Sequence, residues 1–157
     1  MTVLAAYRQA RHDEEVARLR RGLALRAMVA SGMSQRDIAA ELGVSQPAVS
    51  QQLKVAHDLA GLHPAFLIEA AGPVLRSVAE DAGYRRLAVF GSVARGEARF
   101  DSDIDLIVES PEGTSSFGFL RFKKVIEQVL GREIDLVDYA GLKPRLDDDV
   151  RNDAVLL

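Results

Sequence analysis

The run Phe90-Gly91-Ser92-Val93-Ala94-Arg95-Gly96-Glu97-Ala98-Arg99-Phe100-Asp101-Ser102-Asp103-Ile104-Asp105-Leu106-Ile107-Val108 begins where one strand ends and finishes inside the next. Upstream of it, Arg86-Leu87-Ala88-Val89-Phe90 is a short apolar run closed by Gly-Ser, which reads as a buried strand turning sharply at Gly91. A glycine at that turn lets a ligand approach the backbone, because no Cβ stands in the way. Ser92 is placed to cap a short helix through Arg95, leaving its hydroxyl and the following N–H groups as a small anion site. Downstream, Ile104–Val108 reads as a second strand, and alternation sets Asp103 and Asp105 on one face. Their Cα atoms would lie about 6.7 Å apart at the rise of a strand. Carboxylates at that spacing converge on a pair of divalent ions about 3.5–4 Å apart. Gly-Ser after a strand, or Asp-x-Asp alone, is ordinarily a turn or a solvated loop. Paired carboxylates at the head of an apolar run need a counter-charge.

Gly91-Ser92, ten intervening residues and Asp103-Ile104-Asp105 resemble the signature of the DNA polymerase β-like nucleotidyltransferases. Arg95-Gly96-Glu97 and Ser102-Asp103-Ile104-Asp105-Leu106 look like the minimal nucleotidyltransferase (MNT) branch, and the resemblance covers Leu87 to about Pro144. Glu133-Ile134-Asp135-Leu136-Val137-Asp138 reads as a third strand, and Asp135 matches the position of the family's third carboxylate. The resemblance implies that Asp103, Asp105 and Asp135 are catalytic and hold two Mg²⁺, with ATP as nucleotide donor. It further implies that Gly91 and Ser92 hold the β- and γ-phosphates. Arg95 either binds phosphate or forms an ion pair with Glu97 or Asp101.

The chain has 157 residues, 48% hydrophobic and 27% charged, which is globular composition with room for one or two small domains. It contains no cysteine, which excludes a disulfide scaffold, thiolate metal sites and cysteine catalysis. No apolar run approaches the roughly 20 residues that span a bilayer, and no signal peptide opens the chain, so a soluble cytoplasmic protein with no membrane partner is expected. Net charge is −3 but uneven: residues 1–62 carry 8 Lys+Arg against 6 Asp+Glu, and the remainder 12 against 17. That shift suggests two units with different partners.

In the first unit, Val16, Leu19, Leu23, Ala27 and Ala30 fall at helical spacing from Asp13 to about Ala30. Residues 1–11 either extend this helix or pack on a partner. Arg20, Arg21 and Arg26 read as solvated helix surface rather than DNA contacts. Ser34 caps a short helix to Leu42, Gly43 supplies a tight turn, and Ser45 caps a second helix with Pro47 in its first turn. Ile38, Ala39, Leu42, Val44, Val49 and Leu53 are expected to form the core between them. This pattern resembles the helix-turn-helix of the phage-repressor/Cro type, which implies a second helix in the major groove presenting Gln46, Ala48, Ser50 and Gln51, with Lys54 near the backbone. A single half-site is a poor address, so a homodimer or hetero-oligomer on operator DNA is expected.

Gly61-Leu62-His63-Pro64 marks the boundary between residues 1–62 and residues 63–157. A helix from about Ala65 to Ala82, kinked or divided at Pro73, opens the second unit. A second helix runs from about Phe117 to Leu130 and ends at Gly131. His12, His57 and His63 share no ligand spacing and read as surface or packing; Asp147, Asp148 and Asp149 read as solvated charge. The C-terminal Asp153–Leu157 lacks the aromatic residue associated with the family's last strand. The expected fold is therefore α+β: an all-α helix-turn-helix domain, then a small nucleotidyltransferase domain with a short mixed sheet flanked by helices. Similar MNT proteins are antitoxins that transfer AMP to a HEPN-domain toxin, and an attached helix-turn-helix would let such a protein repress its own operon. Two other readings remain open: a DNA-binding regulator or antitoxin whose nucleotidyltransferase domain is catalytically silent, and a toxin of this type that modifies tRNA.

Overall fold

The computed structural model describes residues 1–55 and 58–157, so His57 lies outside the described residues. Helix α1 runs from Val3 to Ala30, capped by the Thr2 hydroxyl, which accepts from the Ala5 N–H at 3.1 Å. Residues 1–11 therefore extend the helix, and every one of them is exposed. Within α1, Val16, Leu23 and Ala27 face the larger core, with Leu19 and Ala30 at its edge, as the helical spacing predicts. Leu25 points to the opposite side, because two residues advance a helix by about 200°. One helix thus serves two cores.

Helices α2 (Gln35–Leu42) and α3 (Gln46–Val55) pack on that second face. Ser34 caps α2 by accepting from Asp37 N–H at 3.1 Å, Gly43 closes it with φ +67°, and Ser45 Oγ accepts from Ala48 N–H at 3.2 Å. The small core holds Leu25, Ile38, Ala39 and Val49, with Met28, Met33 and Leu53 around it. Leu42 and Val44, expected inside, are 49% and 43% exposed. The reason is that α1 supplies Leu25 and Met28 to this core, so the last residue of α2 and the turn after it are left at the surface.

Helix α4 (Pro64–Asp81) continues through Pro73 as one element. Proline has no N–H to offer the carbonyl four residues earlier, which is that of Glu69. Arg20 meets the deficit: its Nη2 donates to the Glu69 carbonyl at 3.1 Å and its Nε to that of Ala70 at 2.9 Å. Arg26 does the same at the C-terminus of α6 (Ser116–Leu130), donating to the carbonyls of Gln128 at 2.7 Å and Val129 at 3.0 Å. Those carbonyls fall in the last turn, where intrahelical partners run out. Burial lowers the Arg26 pKa from its ordinary value, the sign expected of a partly desolvated cation. Arg20 and Arg26 are therefore not solvated surface; they fasten α1 to α4 and α6. Arg21 remains exposed.

The sheet has the order β3-β2-β1-β4 and is mixed. β1 (Arg85–Phe90) runs antiparallel to β2 (Asp105–Glu109) and to β4 (Val155–Leu156), and β2 runs parallel to β3 (Asp135–Asp138) across the α6 crossover. The C-terminal residues thus form a strand without the aromatic residue. Leu87, Val89, Leu106 and Val108 join Leu67, Leu75, Phe122 and Ile126 in the larger core beneath α1, α4 and α6. Tyr84 stacks on Phe122 with centroids 3.8 Å apart. Val16, Leu23, Ala27 and Leu59 also belong to this core, so it reaches back across the boundary proposed at Leu62. The short helices α5 (Gly91–Arg95) and α7 (Asp148–Asp153) pack at β1. Among the described residues, no helix is long and apolar enough to cross a membrane.

Candidate active site

The turn after β1 is shaped by Asp105. Phe90 and Asp105 are register partners across β1 and β2, and a Cβ placed on Gly91 would overlap Asp105 Oδ2. Gly91 also has φ +70°, where a side chain is strained, so both sterics and backbone require glycine. Helix α5 starts at Gly91 itself, with Phe90 in the cap position and no side-chain cap. Ser92 is therefore inside the first turn rather than capping it, and the leading N–H groups carry no side-chain acceptor.

Asp105 and Asp135 stand side by side as partners in the parallel β2–β3 register, and Asp135 N–H donates to the Ile104 carbonyl at 3.0 Å. The Asp105 pKa is pushed up from 3.8 to about 6, first by burial, then by a hydrogen bond with Asp135 and by the charges of Asp135 and Asp103; Arg95 opposes the shift. Two hard oxygen donors side by side, one of them half-buried and disfavoured as a bare anion, are a donor set suited to a hard divalent cation such as Mg²⁺. Asp103 lies just before β2 and is exposed. Among the described residues, no three acidic or histidine side chains stand close enough together to hold one ion. The structure therefore joins Asp105 with Asp135 and leaves Asp103 one step outside, acting on Asp105 through its charge.

Arg95 is engaged by Glu97 (Nε to Oε2, 3.1 Å) and by Asp153 of α7 (Nη1 to Oδ2, 2.7 Å), with Asp153 the larger cause of its raised pKa. The Glu97 pair was one expected alternative; Asp153 takes the place considered for Asp101. Nothing in the local sequence signals Asp153, which lies 58 residues from Arg95. Asp147 and Asp148 are used locally, accepting from the N–H groups of Lys143 and Arg145 at 2.6 and 3.3 Å.

The loop from Gly96 to Ile104 is held at both ends. His63 caps α4, its Nδ1 accepting from Ala65 N–H at 3.1 Å, which leaves Nε2 to donate to the Ala98 carbonyl at 3.0 Å. Its ring also meets Phe100 edge-on at 5.0 Å. At the other end Arg132 Nη2 donates to the Ser102 carbonyl at 3.1 Å. His63 is thus a packing residue, as expected, while His12 bonds Glu69 at 2.9 Å across α1 and α4.

On α3, Gln51 and Lys54 are exposed, and so is Gln46, whose Nε2 donates to Gln35 Oε1 at 2.8 Å. Ala48 and Ser50 are half-buried. Ala48 and Gln51 border a cleft of about 650 Å³ whose other wall includes Arg18 and Leu19 of α1. Gln52, not singled out in the sequence, is also exposed.

A glycine turn thus stands beside Asp105, which pairs with Asp135 on the adjacent strand of a small mixed sheet. The sequence model of the nucleotidyltransferase domain family matches residues 74–157, and the chain belongs to that family. Residues 23–59 match the model of the bacterial regulatory protein, arsR family, so the helix-turn-helix match starts within α1. A candidate protein adenylyltransferase of Methanocaldococcus jannaschii is 44% identical over 73 residues, which are 46% of this chain and 78% of that protein. The protein adenylyltransferase MntA of Thermococcus cleftensis is 36% identical over 80 residues, 51% of this chain and 81% of that one. A solved candidate minimal nucleotidyltransferase superposes with a TM-score of 0.54 at 41% identity, covering 59% of this chain and 95% of the other.

Proposed function

We propose that this chain is a Mg²⁺-dependent protein adenylyltransferase that moves AMP from ATP to a hydroxyl of a partner protein, and that its helix-turn-helix binds operator DNA. The observation that carries the reading is the pairing of Asp105 with Asp135 at the start of adjacent strands, with Asp105 packed against Gly91 at the first turn of α5: a hard-oxygen donor set beside helix N–H groups that no side chain caps. The names of the relatives support the acceptor class. In this reading Asp103, Asp105 and Asp135 hold two ions, and Gly91 and Ser92 hold the β- and γ-phosphates. When bound, Mg²⁺ would stabilise charge at phosphorus and on the leaving pyrophosphate. The acceptor oxygen forms a bond to the α-phosphorus, the bond from that phosphorus to the β-bridging oxygen breaks, and pyrophosphate departs. Asp135 takes the acceptor proton. Arg95 reaches phosphate only by exchanging its contacts with Glu97 and Asp153.

The partner we favour is a HEPN-type toxin, which makes this chain an antitoxin that represses its own operon. The test is intact-mass spectrometry of the protein encoded beside this one after incubation with this chain, Mg²⁺ and each nucleoside triphosphate. A gain of one or more nucleoside monophosphates, absent with Asp103→Ala/Asp105→Ala, is expected. A second reading draws on Asp103 standing apart from the Asp105–Asp135 pair: a DNA-binding regulator with a silent transferase domain. A stable complex with no mass gain for any nucleotide would favour it.

A further inference from the structure

Arg132 is the one described side chain with a buried nitrogen that lacks a hydrogen-bond partner: its Nη1 is unpaired, while Nη2 donates to the Ser102 carbonyl at 3.1 Å. No carboxylate among the described residues lies within ion-pair distance of it. A basic residue just past a helix commonly serves that helix's terminal carbonyls. Here three of the last four carbonyls are already taken. Gly131 N–H donates to Glu127 at 2.8 Å, and Arg26 donates to Gln128 and Val129. Arg132 is therefore released from α6 and turned to the loop that carries Asp103.

That loop is a closed turn: Arg99 N–H donates to Ser102 Oγ at 2.7 Å and Ser102 N–H returns to the Arg99 carbonyl at 3.0 Å. His63 holds its upstream side at Ala98, and Arg132 holds it at Ser102, the residue before Asp103. The base of Arg132 is itself fixed, since Gly131 packs so closely on Leu59 that an added Cβ would meet its Cδ1 at 3.1 Å.

Resting on the reading of the carboxylates as metal ligands, we propose that Arg132 is a positioning residue that sets the Arg99–Ser102 turn against the start of β2 and β3, so that Asp103 can join Asp105 and Asp135 on the ions. A guanidinium suits this role because a half-buried cation that donates to a carbonyl makes a strong bond, and its planar fork fixes the direction of that bond.

The test compares wild type with Arg132→Ala, Arg132→Gln and Arg132→Lys in two measurements on the full chain. The first is amide hydrogen exchange without metal. The second is Mn²⁺ affinity by titration. Exchange in Arg132→Ala is expected to speed up at residues 99–104 and to stay unchanged in α6 and the sheet. Mn²⁺ affinity is expected to fall about 10- to 100-fold, the usual effect of removing an outer-shell partner. Arg132→Lys should recover part of both. If Arg132→Ala does not fold, Arg132→Gln, which keeps a donor without the charge, carries the comparison. Unchanged exchange at 99–104, a uniform rise across the fold, or Mn²⁺ affinity within twofold of wild type would each overturn the proposal. If the wild type itself takes no Mn²⁺, the metal reading of the site falls, and the exchange comparison alone decides on Arg132.

Discussion

The two faces of α1 support cores of very different size. On one, Val16, Leu23 and Ala27 enter a core that includes α4, α6 and three of the four strands; on the other, Leu25 joins Ile38, Ala39 and Val49 in a core of four buried residues. Each buried aliphatic side chain is worth about 1.5–3 kcal/mol, so the smaller core cannot offset the ordering of two helices by itself. It depends on α1 already being fixed by the larger one. The boundary at Leu62 therefore separates two motifs more cleanly than it separates two folding units. Helix α1 packs on α3 and is fastened to α4 and α6 by Arg20 and Arg26.

The largest expected break in the comparison comes from the site rather than from either core. Gly91→Ala forces a Cβ onto Asp105 Oδ2 at a backbone angle that disfavours it, and transfer should drop about 100-fold or more, with DNA binding retained. Steady-state rates beside a gel-shift assay check this.

The cores should then separate by mutation. Leu23→Ala should cost about 2–5 kcal/mol and lower the stability of both units together. Ile38→Ala, at the same cost, should loosen only α2 and α3, leaving exchange protection in the sheet intact. Equal loss of sheet protection in both variants would contradict the dependence described above.

Arg20→Met keeps much of the stem and removes the donors to Glu69 and Ala70, for an expected loss of about 1–3 kcal/mol. Restoring the backbone donor with Pro73→Ala should reduce that loss, because Glu69 then regains its helical partner. Thermal melts of the single and double variants give the coupling.

The smallest effect is a pH dependence of the metal-free protein. Asp105 holds its proton up to about 6 when folded and only to 3.8 as its ordinary value, so the folded state binds the extra proton between those limits. Its contribution to stability is complete below about pH 3.8 and is lost as pH rises through 6. Melts in chelator should show that fall, and Asp105→Asn should flatten it.

Short-range chemistry was legible in the sequence. The turn at Gly91 and the strand that opens at Asp105 have local signals, whereas Asp135 was singled out through the family resemblance; the caps at Ser34, Gly43 and Ser45 fix α2 and α3 within a dozen residues. What escaped was long-range. Arg20 and Arg26 read as surface because their acceptors lie 49–50 and 102–103 residues away. Leu42 and Val44 were placed inside because α1 had been given one apolar face, not two. Ser92 was read as the cap, whereas the cap of α5 is Phe90, two residues earlier.

Adenylyl transfer is tested most directly by supplying ATP labelled at the α-phosphate or at the γ-phosphate, with Mg²⁺ and the protein encoded beside this one, and following the label. The α-label is expected to enter the acceptor and the γ-label to leave as pyrophosphate, with Asp105→Asn stopping both. Transfer of γ-label to the acceptor, or α-label transfer that survives Asp105→Asn, would contradict it.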